Sequence, residues 1–194
     1  MIGEASSTNF IWQSGFLYFG STPAGPKFSL TVSGLDAGTA TEGVVTDVST
    51  TPLAINFNDL NFNEEVEAAH RLTVKTNAPK GYQVFIFARS PLSGLEEIAP
   101  VAGTNEFPIP WGITTGSSSA FGYHAGDDTL SGGSGRFAPN NSYAQLEEIP
   151  QEVVFSAHPT GLQATDVVFK IQITEEQAAG DYETEIGYVA VPVF

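Results

Sequence analysis

A chain of 194 residues with 41% hydrophobic and 15% charged residues can bury one substantial core, which excludes a disordered segment. Seven Lys and Arg against 22 Asp and Glu leave a net charge of −15, and the bases (Lys27, Arg71, Lys75, Lys80, Arg89, Arg136, Lys170) are scattered, which excludes the basic stripe that grips nucleic acid or an anionic membrane. Cysteine is absent, so disulfides, thiol catalysis and Cys-ligated zinc are excluded too.

The first element expected is a strand over Asn9–Phe19. Phe10, Trp12, Phe16 and Tyr18 fall on one alternating face, and Ile11, Leu17 and Phe19 on the other. A strand apolar on both faces must be buried on both. Ser21–Pro26 breaks the pattern as a stiff linker. Residues 1–26 are thus expected to be an apolar strand with its tether, and residues 27–194 a sandwich domain.

Short strands follow from Lys27. Phe28–Val32 alternates cleanly and Leu53–Phe57 continues the pattern. Glu64–His70 has helical propensity but runs straight into a strong strand, so it is expected to be extended or a single turn. Arg71–Thr76 and Tyr82–Phe87 flank Asn77-Ala78-Pro79-Lys80-Gly81, where Pro presets φ and Gly allows a positive φ. They are expected to pair as a hairpin.

Ser90–Pro150 is irregular and rich in Gly, Ser and Pro, with short strands expected around Gly112–Thr114 and Ala120–Tyr123. Val167–Ile173 is a further strand. Thr174–Gln177 has the capping pattern of a one-turn helix, stopped by Gly180. A final strand over Tyr182–Phe194 ends apolar on both faces and is expected to be core. Regular strand spacing and frequent turns predict an all-β fold, an antiparallel β-sandwich of Ig-like or jelly-roll type with an N-terminal extended strand.

Four segments carry a resemblance: Leu72–Tyr82; Phe121-Gly122-Tyr123 with Asp128, Leu130–Gly133 and Arg136-Phe137; Val167–Ile173; and Ala179–Tyr182 with Tyr188–Phe194. Together they resemble an uncharacterised family of secreted all-β surface proteins of candidate-phyla bacteria. Ser7–Phe10 through Gly15–Phe19 looks like the strand that follows the signal peptide in similar proteins. The resemblance implies export and supplies no catalytic residues. The ending is also loosely similar to fibre-forming pilus and matrix sandwiches that join by exchanging a strand. Met1–Ser6 lacks the basic start and apolar centre of a secretory leader, so the protein is either cytosolic or exported with its leader removed. No apolar run approaches ~18 residues, so no membrane span is expected.

Little in the sequence marks an active site. His70, His124 and His158 form no ligand-type pair, and no G-x-S-x-G elbow occurs. An enzyme would need His124 to converge with Asp127 or Asp128. Asp59–Asn63 begins like a calcium loop, but Glu64 replaces its Gly and His70 its closing Glu. Asp127 and Asp128, in a Gly-rich loop, are the better calcium candidates. Trp111, Tyr123 and Tyr143 could stack on a glycan, although aromatic residues in a sandwich are usually core. Asn140-Asn141-Ser142 fits a glycosylation sequon. An isopeptide cross-link of the kind found in surface sandwiches needs a buried Lys beside an Asn and an acid, and Lys75 and Lys170 both fall on the polar phase of their strands, which argues for exposure.

These readings converge on a non-enzymatic, secreted or cell-surface structural protein that self-associates. Its assembly strand would be Phe10, Ile11, Trp12, Phe16, Leu17, Tyr18 and Phe19. Fully extended, ten such residues span roughly 33 Å, enough to complete a neighbour's sheet. The alternative is a monomeric binding module for glycan or calcium.

Overall fold

The structure is a computed structural model. It describes the backbone of residues 11–13, 16–18, 25, 27–112, 118–131, 135–138 and 141–194, and the side chains of all of these except the first two stretches. Its elements are strands. β1 (Ile11–Gln13) and β2 (Phe16–Tyr18) come first, then β3 (Phe28–Gly34), β4 (Ala40–Thr41), β5 (Val44–Val45), β6 (Thr50–Thr51), β7 (Ala54–Ile55) and the long β8 (Glu65–Thr76). They are followed by β9 (Tyr82–Ala88), β10 (Ile109–Pro110), β11 (Ala120–Ala125), β12 (Ser142–Tyr143), β13 (Gln151–Ser156), β14 (Thr160–Gln172) and β15 (Ile186–Pro192).

Two sheets carry the fold, one of four strands in the order β11-β14-β8-β3 and one of three in the order β13-β9-β15, all paired antiparallel. Alternation sets their inner faces. Leu72 and Val74 of β8 and Phe121, Tyr123, Val167, Phe169 and Ile171 of the larger sheet meet Tyr82, Val84 and Ile86 of β9 in one buried cluster. Burying each such side chain contributes about 1.5–3 kcal/mol. The molecule is an antiparallel β-sandwich.

A smaller cluster lies on the other side of the large sheet. Leu35, Ala69, Val101, Trp111, Tyr143 and Val168 pack there beneath the connections. The part of the larger sheet around β11 is therefore covered on both faces, and β11 is buried along its whole length, while Ser29, Thr31, Arg71 and Lys75 on the rest of the outer face are exposed.

Several expected elements take a different form. Arg71–Thr76 and Tyr82–Phe87 are not a hairpin, because β8 pairs with β3 and β14 while β9 pairs with β13 and β15. The Asn77–Gly81 turn crosses from one sheet to the other instead. Leu72, Val74, Tyr82 and Val84 are each at most 1% exposed, and facing one another across the core satisfies all four. The turn closes by a hydrogen bond from Gly81 N–H to Ala78 O of 3.0 Å, with Gly81 at φ +77°.

Leu53–Phe57 is not one strand. Thr50–Thr51 folds back on Ala54–Ile55, leaving Leu53 96% exposed at the tip. Thr174–Gln177 is a turn closed by Gln177 N–H to Thr174 O rather than a helix, and the Thr174 N–H is taken by Ser119 Oγ. Ile113 and Thr114 lie outside the described residues. The segment at 64–70 is extended, as expected, and forms the first half of β8.

The backbone at the N-terminus is two three-residue strands paired with each other, Ile11 opposite Tyr18 and Gln13 opposite Phe16, not one long strand. Ser14-Gly15 between them is a turn-type pair that favours such a reversal. Phe10, Phe19 and most of the Ser21–Pro26 linker lie outside the described residues.

Candidate functional site

One long side of the sandwich is open. β3 pairs in a ladder only with β8 and β15 only with β9; among the described residues β6 touches the end of β3 at Gly34 and Leu35, and no strand pairs with the outer edge of β15. Phe28, Leu30 and Val32 on β3, and Ile186, Tyr188 and Ala190 on β15, turn toward the core yet remain only partly buried. At the end of the sandwich where β15 begins is a groove of about 870 Å³, lined by Ile55, Phe57, Phe121, Ile171, Ile186 and Tyr188 among others. Core side chains form part of its lining, so it exposes apolar surface that a complete sandwich would cover.

β15 is the decisive element. Its inner residues contact the core, while Val189 and Val191 on its outer face are 44% and 43% exposed. The C-terminal strand is thus an edge strand running over Ile186–Pro192, not the fully buried core strand expected over Tyr182–Phe194. Apolar residues on both faces did not mean burial on both, because the outer face of the smaller sheet is not covered: Gln83, Phe85 and Phe87 of the central strand β9 are only half-buried there too. Pro192, lacking an N–H, suits an edge position.

The groove wall also holds a histidine. His70 is 5% exposed, with Nδ1 3.3 Å from the Tyr188 hydroxyl and the Phe169 ring edge-on at 5.8 Å. Its Nε2 is buried without a hydrogen bond of ordinary geometry. Burial holds the imidazole below the ordinary histidine range, with a Thr51 backbone group opposing.

The chain enters the described domain at the end of this open side. Lys27 N–H donates to Asn77 Oδ1 at 2.7 Å, and at the neighbouring turn residue Val193 N–H donates to Gly81 O at 2.9 Å. Gly25 and Lys27 both sit against Asn77, with Gly25 O accepting from Asn77 Nδ2 at 2.9 Å, near the end of β15.

The other candidates are placed elsewhere. Asp127 accepts Thr129 N–H at 2.8 Å and its hydroxyl at 2.7 Å through Oδ1, and Phe155 N–H at 2.7 Å through Oδ2. Oδ1 thus shapes the loop itself, and Oδ2 holds it onto β13. Asp128 is exposed, and among the described residues no group of three or more His, Asp or Glu side chains is placed to hold a metal ion. His124 is 2% exposed and donates through Nδ1 to Ser142 O at 2.8 Å, with burial lowering its pKa.

Trp111, Tyr123 and Tyr143 are at most 1% exposed and offer no surface for a sugar to stack on. Tyr123 belongs to the inter-sheet core, and Trp111 and Tyr143 to the smaller cluster.

Lys170 departs furthest from its expected place. It does point away from the inter-sheet core, opposite in phase to Phe169 and Ile171, but it is only 3% exposed. Polar phase implies exposure only if the outer face is bare, and here Trp111 and Tyr143 cover it. No helix among the described residues is long and apolar enough to cross a membrane.

The arrangement defines a β-sandwich with an uncovered edge and an exposed section of core. No protein-family model matches the chain, and no curated protein matches it.

Proposed function

We propose that this protein is a non-enzymatic structural subunit of an extracellular or cell-surface assembly, joined by strand exchange. The apolar segment Asn9–Phe19 of one copy occupies the open side of the next, beside β15. The observation that carries this reading is the apolar groove beside an edge with no strand partner among the described residues. Edge pairing supplies main-chain hydrogen bonds to an incoming strand, and alternate side chains fill the groove. The segment has apolar side chains at the needed spacing; Lys27, which follows its linker, lies at the Val193 end of β15, and the groove at the Ile186 end.

Exchange requires β1 and β2 to separate. Only three residue pairs join them, and an isolated two-stranded ribbon is marginally stable in water, so opening costs little. Once extended, the segment reaches roughly 33 Å, against roughly 23 Å for the seven residues of β15. Head-to-tail exchange propagates into open filaments. A cysteine-free acidic sandwich suits such a setting: it needs no oxidant to fold, and its charge keeps unassembled copies soluble.

The test compares the size of the full chain by light scattering with that of a Trp12→Asp/Leu17→Asp double variant. The full chain is expected to form concentration-dependent oligomers. The double variant is expected to be monomeric and to bind a synthetic peptide of residues 9–19. A full chain that stays monomeric to high concentration overturns strand exchange. If the double variant is then destabilised and rescued by the peptide, the segment instead closes its own domain.

A further inference from the structure

On the covered outer face of the large sheet, Lys170 of β14 lies directly opposite Glu67 of β8, and Gln172 lies opposite Glu65. The Lys170 ammonium contacts both carboxylates, Glu67 Oε1 at 2.8 Å and Glu65 Oε2 more closely still. The rings of Trp111 and Tyr143 shield it, with centroids 5.3 and 5.5 Å away. Trp111 is itself fixed, its indole N–H donating to Gln172 Oε1 at 3.2 Å. Glu67 is anchored through its backbone N–H, which donates to Asp47 Oδ2 at 2.7 Å.

Neutralising one ammonium needs one carboxylate, and this site supplies two with different exposure. The Glu67 side chain is 14% exposed and that of Glu65 is 47%. We propose that Lys170 and Glu67 condense to an amide in the folded protein, with Glu65 as the proton carrier. An amine in hydrogen-bond contact with a carboxyl oxygen lies about 3–3.5 Å from the carboxyl carbon, which is reacting distance.

Glu65 takes one proton from the Lys170 ammonium, and the freed lone pair of Nζ forms a bond to Cδ of Glu67. A carboxyl oxygen of Glu67 then leaves as water, carrying the proton returned by Glu65 and a second proton from Nζ. One N–H remains on the amide, Glu65 ends as the carboxylate it began as, and one water is lost. No oxidant, metal or further reactant takes part. The aromatic cover keeps water from reversing the step, and the product replaces a buried charge pair by a neutral link between two long strands.

The inference is independent of strand exchange, and the intact mass of the purified, folded full chain tests it. The expected mass is about 18 Da below that of the sequence, one water lost. Digestion is expected to yield a single branched peptide joining the Lys170 and Glu67 segments. Glu67→Ala and Lys170→Met restore the full mass. Glu65→Gln is expected to stay folded by circular dichroism while losing most of the cross-link. A wild-type chain at its full sequence mass overturns the proposal. So does a link from Lys170 to any other residue.

Discussion

Arg136 and Glu152 meet at 2.9 Å with side chains only 15% and 7% exposed. Around them a polar network closes. Glu152 also accepts from Gln83 and from the backbone and hydroxyl of Ser131, and Arg136 donates to Asn105 Oδ1 at 2.6 Å. Asn105 in turn donates to the Tyr123 hydroxyl and to Glu152 O, both at 2.8 Å. The loop after β11 is thereby fastened over β13.

Removing the cation from this network leaves Glu152 three neutral donors but no counter-charge in a dry site. Arg136→Met is expected to destabilise the fold by about 3 kcal/mol, whereas removing both partners together costs less than the sum of the single changes. For a chain of this size that lowers Tm by about 6–12 °C. Urea melts of the two single variants and the double variant measure it. A fully additive double variant would show that the pair is not coupled.

Gly81 is needed at the crossing between sheets. Its φ is +77°, and an added Cβ would stand 1.7 Å from Ser156 O. Gly81→Ala therefore combines a left-handed backbone with a backbone clash that no rotamer relieves. We expect a loss of about 2 kcal/mol or more. Gly25, where no atom lies within 4 Å of the built Cβ, is the control. Gly25→Ala is expected to melt like the wild type.

Tyr82 offers the opposite case. Its ring is fully buried and its hydroxyl has no hydrogen-bond partner among the described residues, while burial and then Asp127 push its pKa up to about 12. A buried hydroxyl without a partner costs desolvation and gives nothing back. Tyr82→Phe is expected to raise stability by about 1 kcal/mol. Equal or lower stability would mean that the hydroxyl has an ordered partner such as water.

Acid destabilises the protein through His70 and His124. Burial lowers the pKa of both in the folded state, so between that value and about 6.5 the unfolded chain binds more protons. Their contribution is full above about pH 6.5 and is lost as pH falls through the folded pKa. Burial raises Glu42 and Glu67, which act with the opposite sign at lower pH. Comparison with His124→Gln therefore isolates the histidine: the fall in Tm from pH 7 to pH 5 is expected to be smaller in the variant. Parallel curves would remove His124 from the account.

The pattern of strands was largely legible in the sequence, because alternation is local. Phe28–Val32 and Ala120–Tyr123 fall inside observed strands, and Val167–Ile173 does so up to Gln172. Partnership was not. The Asn77–Gly81 turn chemistry is the same whether the chain returns within one sheet or crosses to another, and only the burial of Tyr82 and Val84 against the facing sheet decides it.

The candidate site was less legible still. Tyr188–Phe194 appears as core because both phases are apolar, yet Val189 and Val191 are exposed, since they face the uncovered outside of the smaller sheet together with half-buried Gln83 and Phe85. Lys170 shows the converse: a polar residue on a polar phase, buried because Trp111 and Tyr143, distant in sequence, pack above it.

Composition and period-two patterning by themselves determined an acidic, cysteine-free, all-β chain with an apolar segment near its start. Only the tertiary structure decided that its sheets hold four strands and three, that β15 ends the smaller one, and that Lys170 is enclosed with two glutamates. Patterning along a strand records which side chains prefer to leave water. Which surface covers them depends on contacts between residues far apart in the chain, and no local pattern encodes where a sheet ends.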